Sequence, residues 1–202
     1  MKPRLTTLGD SFTQGHGDDP LCGGWTARLA ELLGVAGGRT RNLGAFGATT
    51  QDVVERQLAA ALVNKAPMIG LNVGVNDLIS DYEPDRFRRN VELILGTLAG
   101  PNTTVFTATY PPIPRIAALP PAFRELVGSR FTEANDVVRA ATGRHGVLLL
   151  DIARDPHWLT PELWSDDDLH PSPSGHRHFA ERMAELLAGA AGTSAHTGRW
   201  AG

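Results

Sequence analysis

The run Leu8-Gly9-Asp10-Ser11-Phe12-Thr13-Gln14-Gly15 places a serine where a short apolar segment gives way to a turn. A serine at a strand-to-helix turn suits a nucleophile, because its hydroxyl and its own N–H can both face a cleft. Gly-Asp-Ser is also an ordinary turn sequence, so Ser11 alone decides little. Near the other end, Asp166-Asp167-Asp168-Leu169-His170-Pro171 sets an aspartate three residues ahead of a histidine. A serine needs a base to take its proton, and a neutral imidazole with a pKa of about 6.5 fits that task near neutral pH. The imidazole in turn needs a carboxylate to fix its tautomer and stabilise the imidazolium. Asp167 and His170 share one short loop, which could deliver both to Ser11; Asp166 and Asp168 compete for the orienting role. Without Ser11, the acidic run reads as an N-cap cluster ahead of a helix at Ser174.

Two further blocks bear on the same chemistry. Asn42-Leu43-Gly44-Ala45-Phe46-Gly47-Ala48-Thr49 follows one apolar run, and Gly74-Val75-Asn76-Asp77 follows another. Acyl transfer builds negative charge on the former carbonyl oxygen, and donors must already be aimed at it. The backbone N–H groups of Ser11 and Gly47 and the side-chain amide of Asn76 would form such a set. Taken singly, Gly47 is a turn residue and Asn76 a turn or cap residue; their shared position after successive apolar runs gives them weight. Asp10 and Asp77 flank proposed site residues, and hydrogen bonds that fix the turns are their expected task.

Positioning these groups requires a scaffold. Five short apolar or β-branched runs recur, at Leu5–Leu8, Thr40–Leu43, Met68–Val73, Thr103–Thr109 and Val147–Asp151, each the length of a buried strand. Helical patterns fall between them. One stripe is Trp25, Leu29, Leu32 and Leu33, closed by Gly34; another is Val54, Leu58 and Leu62 after the cap candidates Thr49–Asp52. A third is Phe87, Val91, Ile94, Leu95 and Leu98. A fourth helix is expected over Arg130–Thr142, and a fifth from Ser174 to about Leu187 with Phe179, Met183, Leu186 and Leu187 inward. This alternation implies an α/β fold, a parallel sheet covered on both faces, with reactive groups outside the carboxyl ends of the strands. Tyr110–Pro121 carries five prolines and breaks the rhythm, as a surface loop or a wall of the substrate pocket. One domain over residues 1–189 is expected, followed by a small, polar, mobile tail over 190–202.

Composition narrows the functions. A net charge of -3 and the lack of any Lys/Arg block argue against nucleic acid as partner. The single cysteine, Cys22, excludes an internal disulfide framework, and its Gly-rich surroundings fit a plain loop residue. The apolar segment after Met1-Lys2-Pro3-Arg4 is too short for a signal peptide, and no run reaches the length of a membrane span, so a cytoplasmic location is expected. No partner is needed to complete the core, and a monomer is expected.

The four blocks resemble those of the SGNH/GDSL hydrolase family, whose name lists its serine, glycine, asparagine and histidine blocks. The likeness runs from Leu8 to the helix beginning near Ser174. It puts Ser11 at the nucleophile position, Gly47 rather than Gly44 at the oxyanion glycine, Asn76 at the oxyanion side chain, and Asp167 and His170 in the rest of the triad. Phe12 stands where the family has leucine, and Asp168 occupies a position that is often glycine. The resemblance implies a three-layer α/β/α sandwich with a five-stranded parallel sheet, flavodoxin-like in its winding. It further implies no cofactor, no metal, and hydrolysis of a small-molecule ester through an acyl-enzyme. An acyltransferase using the same triad, or a binding protein without turnover, are the alternatives; a standard α/β-hydrolase is disfavoured because no Gly-x-Ser-x-Gly elbow exists. Phe12, Phe46, Val75 and Tyr110 are candidate substrate contacts. His16 is near enough to Ser11 in sequence to line the pocket. His176 and His178 stand two apart on a helix, so they point in different directions and cannot easily share an ion with the acidic loop. Trp164 is expected to anchor that loop against the core.

Overall fold

Each of the five apolar runs forms a strand in the computed structural model, which describes residues 4–63 and 65–196. The strands are β1 (Leu5–Gly9), β2 (Thr40–Asn42), β3 (Met68–Asn72), β4 (Thr104–Ala108) and β5 (Leu148–Leu150). All pair in parallel, in the order β2-β1-β3-β4-β5. The helices are α1 (Ser11–Gln14), α2 (Gly24–Leu32), α3 (Thr50–Asp52), α4 (Leu58–Leu62), α5 (Val75–Ile79), α6 (Pro84–Leu98), α7 (Ile113–Ile116), α8 (Pro121–His145) and α9 (Pro173–His196). The step from β1 to β2 runs one way along the sheet and every later step runs the other way. Right-handed crossovers therefore place α2 on one face and α4, α6 and α8 on the other. The last helix, α9, returns to pack against α2, while α6 packs against α8. This three-layer sandwich buries β1 along its whole length. Its strand order reverses beside β1, and a doubly wound sheet opens its crevice at such a point.

Local chemistry explains where the elements differ from the expected ones. The stripe Phe87, Val91, Ile94, Leu95 and Leu98 is buried as a unit on α6. In the segment after Thr49 the inward residues are instead Val53, Gln57, Leu58 and Ala61, and Leu62 is partly exposed. The cause is a π-helical segment over Val53–Gln57, whose extra residue per turn rotates the face that meets the sheet. Leu32 likewise points to solvent, while Trp25 and Leu29 carry the buried face of α2. The fourth helix is longer than Arg130–Thr142. Pro121 opens α8 in its first turn, where a missing N–H costs nothing, and a left-handed Gly146 closes it. Proline at the start of α7 similarly permits a helical turn inside the Pro-rich segment. Regular structure does not stop at Gly189: α9 continues to His196, and residues 197–202 of the expected tail lie outside the described residues.

No helix among the described residues is long and apolar enough to cross a membrane. Cys22 is exposed and unpaired.

Candidate active site

Ser11 opens α1 directly after β1, and two contacts hold the strand end that carries it. Gln57 reaches across from the π-helical segment: its Oε1 accepts from the Gly9 N–H at 2.8 Å, and its Nε2 donates to the Gly9 carbonyl at 2.9 Å. Position 9 must be glycine, because a Cβ there would lie 2.0 Å from the Asn72 carbonyl oxygen of the neighbouring strand. Asp10 caps α1 by accepting the Phe12 N–H at 3.1 Å. Burial raises the Asp10 carboxyl to about 7, against the opposing pull of the backbone N–H groups it faces. Ser11 thus sits on a backbone fixed from two sides, with its own side chain almost wholly buried.

The loop between β5 and α9 brings the base. His170 Nε2 lies 2.9 Å from Ser11 Oγ, and His170 Nδ1 lies 2.6 Å from Asp167 Oδ2. An ionised carboxylate can only accept, so Nδ1 carries the proton and Nε2 is free to accept from the serine hydroxyl. Burial pushes the Asp167 carboxyl up. The His170 N–H, the imidazole and the Leu169 N–H together outweigh it and hold the group below the usual aspartate range. The N–H groups of Leu169 and His170 both donate to Oδ1, at 3.0 and 2.9 Å, so one carboxylate orients both the loop and the ring. Among the three aspartates of the loop it is Asp167 that faces His170. Asp168 adopts a left-handed conformation at φ 54°, the only non-glycine among the described residues to do so. A short polar side chain tolerates that region better than most, so the loop keeps a turn for which glycine is the usual residue.

The glycine and asparagine blocks follow β2 and β3, the two strands that flank β1 in the sheet. Gly47 lies in a left-handed turn after β2 at φ +73°, and its N–H has no acceptor among the described residues. Asn76, in α5 after β3, donates from Nδ2 to the Ala48 carbonyl at 2.9 Å, which fixes the amide and ties this block to the glycine block. Behind them Asp77 accepts from the Thr50 N–H at 2.9 Å and from the Thr50 hydroxyl at 2.6 Å. Asn90 Nδ2 donates to Thr50 Oγ1 and to Gln51 Oε1. Burial raises the Asp77 carboxyl above its ordinary value, against the pull of Thr50.

The four candidate substrate contacts separate into two groups. Phe12, Val75 and Tyr110 line a cavity of about 30 Å³ together with Ile113, Trp158 and Leu169. The Tyr110 hydroxyl is already committed, donating to the Val73 carbonyl at 2.7 Å, so this residue offers ring surface and not a polar contact. Phe46 is instead exposed, with its ring centroid 5.1 Å from His16 and 6.1 Å from His170. His16 itself lies 4.3 Å from the His170 ring. Trp164 is buried; its Nε1 donates to the Trp158 carbonyl at 3.0 Å and its ring meets Trp158 edge-on.

His176 and Gln57 carry structural duties that neither pattern nor motif revealed. His176 is fully buried: its Nδ1 accepts from the Trp25 N–H at 3.0 Å, and its Nε2 lies 2.9 Å from the His16 carbonyl. One imidazole therefore joins α9, the start of α2 and the segment bearing His16. Burial lowers its pKa to about 4, so it is neutral near pH 7.

Residues 7–178 match the model of the GDSL-like lipase/acylhydrolase family, and the chain belongs to that family. It is a serine ester hydrolase of the SGNH/GDSL type. A GDSL lipase of Mycobacterium tuberculosis is 27% identical over 197 residues, covering 91% of this chain and 80% of that protein. Among solved structures, the lipase/acylhydrolase from Enterococcus faecalis superposes with a TM-score of 0.71 at 22% identity, covering 92% of this chain and 96% of the other. The acetylxylan esterase Axe2 from Geobacillus stearothermophilus gives a TM-score of 0.71 at 21% identity, covering 93% and 96%. At these identities the two structures speak for a shared fold.

Proposed function

We propose that this protein hydrolyses carboxylic esters of a small acylated substrate through an acyl-enzyme on Ser11, with His170 as general base and acid and Asp167 as its orienting partner. The observation that carries the proposal is the continuous chain from Ser11 Oγ to His170 Nε2, at 2.9 Å, and from His170 Nδ1 to Asp167, at 2.6 Å. His170 takes the hydroxyl proton as Ser11 Oγ attacks the ester carbonyl, and the carbonyl electrons move onto oxygen. The N–H groups of Ser11 and Gly47 and the Asn76 amide hold that oxyanion. Its collapse breaks the bond to the alcohol, which leaves with the proton from His170. Water then gives its proton to His170, attacks the acyl-enzyme and releases the acid, returning the proton to Ser11.

Asp167 supplies a fixed negative charge throughout, because its contacts keep it ionised well below neutral pH. Phe12, Val75 and Tyr110 line an apolar cavity that also touches Asp10, and Asp10 and Phe12 flank Ser11 in sequence; these walls would favour an apolar acyl group. Phe46 and His16, outside that cavity, would meet the alcohol portion.

Turnover of p-nitrophenyl esters from acetate to decanoate, by wild type and Ser11→Ala with EDTA present, tests both parts. Wild type should turn over esters of the series and so rank acyl lengths, and Ser11→Ala should lose activity on all of them. No turnover by folded wild type on any ester would reject the hydrolase reading. Activity that survives in Ser11→Ala would reject the mechanism.

A further inference from the structure

Asp155, His157 and His178 meet beside Trp158, whose ring centroid lies 5.9 Å from that of His178, and no step of the proposed reaction uses them. Asp155 and His157 belong to the turns that follow β5; His178 projects from α9. His157 Nδ1 lies 2.8 Å from Asp155 Oδ1, and His178 Nε2 lies 3.3 Å from Asp155 Oδ2. Two imidazoles thus address the two oxygens of one carboxylate, with ring centroids 5.4 Å apart. The three candidate ligand atoms all fall within 4.8 Å of one another.

We propose that this cluster is a binding site for a divalent transition-metal ion of the zinc class, held by His157 Nδ1, His178 Nε2 and an Asp155 oxygen. Ligands about 2.0–2.1 Å from a tetrahedral zinc stand about 3.3 Å from each other. His178 Nε2 already stands at that distance from Oδ2, whereas His157 Nδ1 faces the other oxygen, Oδ1, at 2.8 Å, so the His157 ring must swing towards Oδ2 before the three atoms can share one ion. The His157 side chain is largely exposed and free to make that adjustment, while Asp155 and His178 are mostly buried and stay put. The carboxylate is preset, because the His157 N–H also donates to Oδ1 at 3.0 Å.

Two nitrogens and one oxygen select zinc, cobalt, nickel or copper over calcium or magnesium. A neutral imidazole binds metal through a bare nitrogen. Each ring must therefore move its proton from the atom facing Asp155 to its other nitrogen, with solvent as carrier and no net proton released. The exposed side of His157 leaves the fourth position to water. The sequence spacing of His176 and His178 argued against a shared ion, and those two rings do diverge: His176 turns into the core while His178 finds its partners 21 and 23 residues earlier.

An ion here would pin the Pro156–Leu159 turn to α9. Trp158 lies between them, 5.9 Å from the His178 ring, and packs on Trp164, whose backbone pairs with Pro171 beside His170. The expected result of binding is stiffening of the loop that carries Asp167 and His170, seen as stability and not as a chemical step.

The test is calorimetric titration of tag-free, chelator-stripped protein with zinc chloride, paired with thermal unfolding with and without zinc. His157→Ala, an exposed substitution, and His178→Gln, which keeps the volume, serve as site variants. His16→Ala serves as control, because His16, Asp167 and His170 form the other ligand-like group. One ion per chain, a raised Tm, and at least a tenfold loss of affinity in both site variants but not in His16→Ala would support the proposal. Ester hydrolysis without zinc should be unchanged in His157→Ala, which confirms that its site is otherwise intact. Zinc binding lost in His16→Ala and kept in His157→Ala would place the ion at the catalytic residues and overturn the proposal. So would an absence of binding by wild type at millimolar zinc.

Discussion

Replacing His176 with glutamine should change the acid sensitivity of this protein by an amount that its environment sets. The ring is fully buried, with the Trp25 N–H donating to Nδ1 and Nε2 facing the His16 carbonyl. A proton on Nδ1 would set N–H against N–H, so the folded state resists protonation and the pKa falls to about 4. The unfolded chain takes up that proton near the ordinary value of about 6.5. A folded-state pKa below the unfolded one gives stability that is present above pH 6.5 and is lost as pH falls towards 4. At 1.36 kcal/mol per pH unit the full loss is about 3 kcal/mol, and about 2 kcal/mol of it falls between pH 7 and pH 5. Asp10 acts in the opposite sense over the same range, since its folded pKa of about 7 lies above the unfolded value. The wild-type curve alone would therefore hide the effect. The difference between wild type and His176→Gln does not, because Asp10 is common to both. Glutamine also offers one acceptor and one donor in place of the imidazole's pair. Urea unfolding at pH 7 and pH 5 should show the variant gaining about 2 kcal/mol on wild type as pH falls, or roughly 4–7 °C in Tm for a chain of this size. A difference between the two proteins that does not change with pH would refute the reasoning.

Three further outcomes follow from the same geometry. Asp167→Asn should lower kcat by about 10³–10⁴, because an amide facing Nδ1 favours the tautomer that cannot take the serine proton, whereas Asp166→Asn and Asp168→Asn should stay within about threefold. Steady-state kinetics on p-nitrophenyl acetate reads this directly, and an equal loss in Asp166→Asn would assign the wrong carboxylate. Asn76→Ala should cost about 10²–10³ in kcat with little change in KM, since the amide acts on charge that develops only in the transition state. Asp10→Asn should gain about 2–3 kcal/mol on wild type between pH 5 and pH 8, because burial penalises the charged carboxylate only at the higher pH. Denaturant melts at the two pH values check it, and a loss at pH 8 would contradict it.

The strands were legible because each is a short apolar or β-branched run; β1, β3 and β4 are buried almost throughout, while the edge strands β2 and β5 are only partly covered. The helix α6 was legible from a single buried stripe of five apolar residues. The helical segment after Thr49 was not, since nothing in Val53–Gln57 announces a π-helical turn, and a single added residue moves the buried face from Val54 and Leu62 to Val53 and Ala61. Ser11, Gly47 and Asn76 stand in compact motifs after β1, β2 and β3, and Asp167 and His170 in one just ahead of α9, which is why sequence could nominate them. Gln57, Thr50, Asn90 and His176 support those residues through contacts across 27 to 151 positions, and sequence order carries no trace of such pairings. The same holds for Asp155, His157 and His178, which only the packing of the post-β5 turns on α9 brings together. Asp168 lies between these cases. Its place in the motif suggested a glycine-like turn, and its left-handed backbone shows how an aspartate fills that position.

The most direct test of Ser11 as nucleophile is stoichiometric labelling with a fluorophosphonate, followed by intact mass and peptide mapping alongside residual esterase activity. The account predicts one adduct per chain, on Ser11, formed at the rate at which activity disappears and absent in His170→Ala over the same time. Full labelling at another residue, or esterase activity that persists after Ser11 is completely modified, would contradict it.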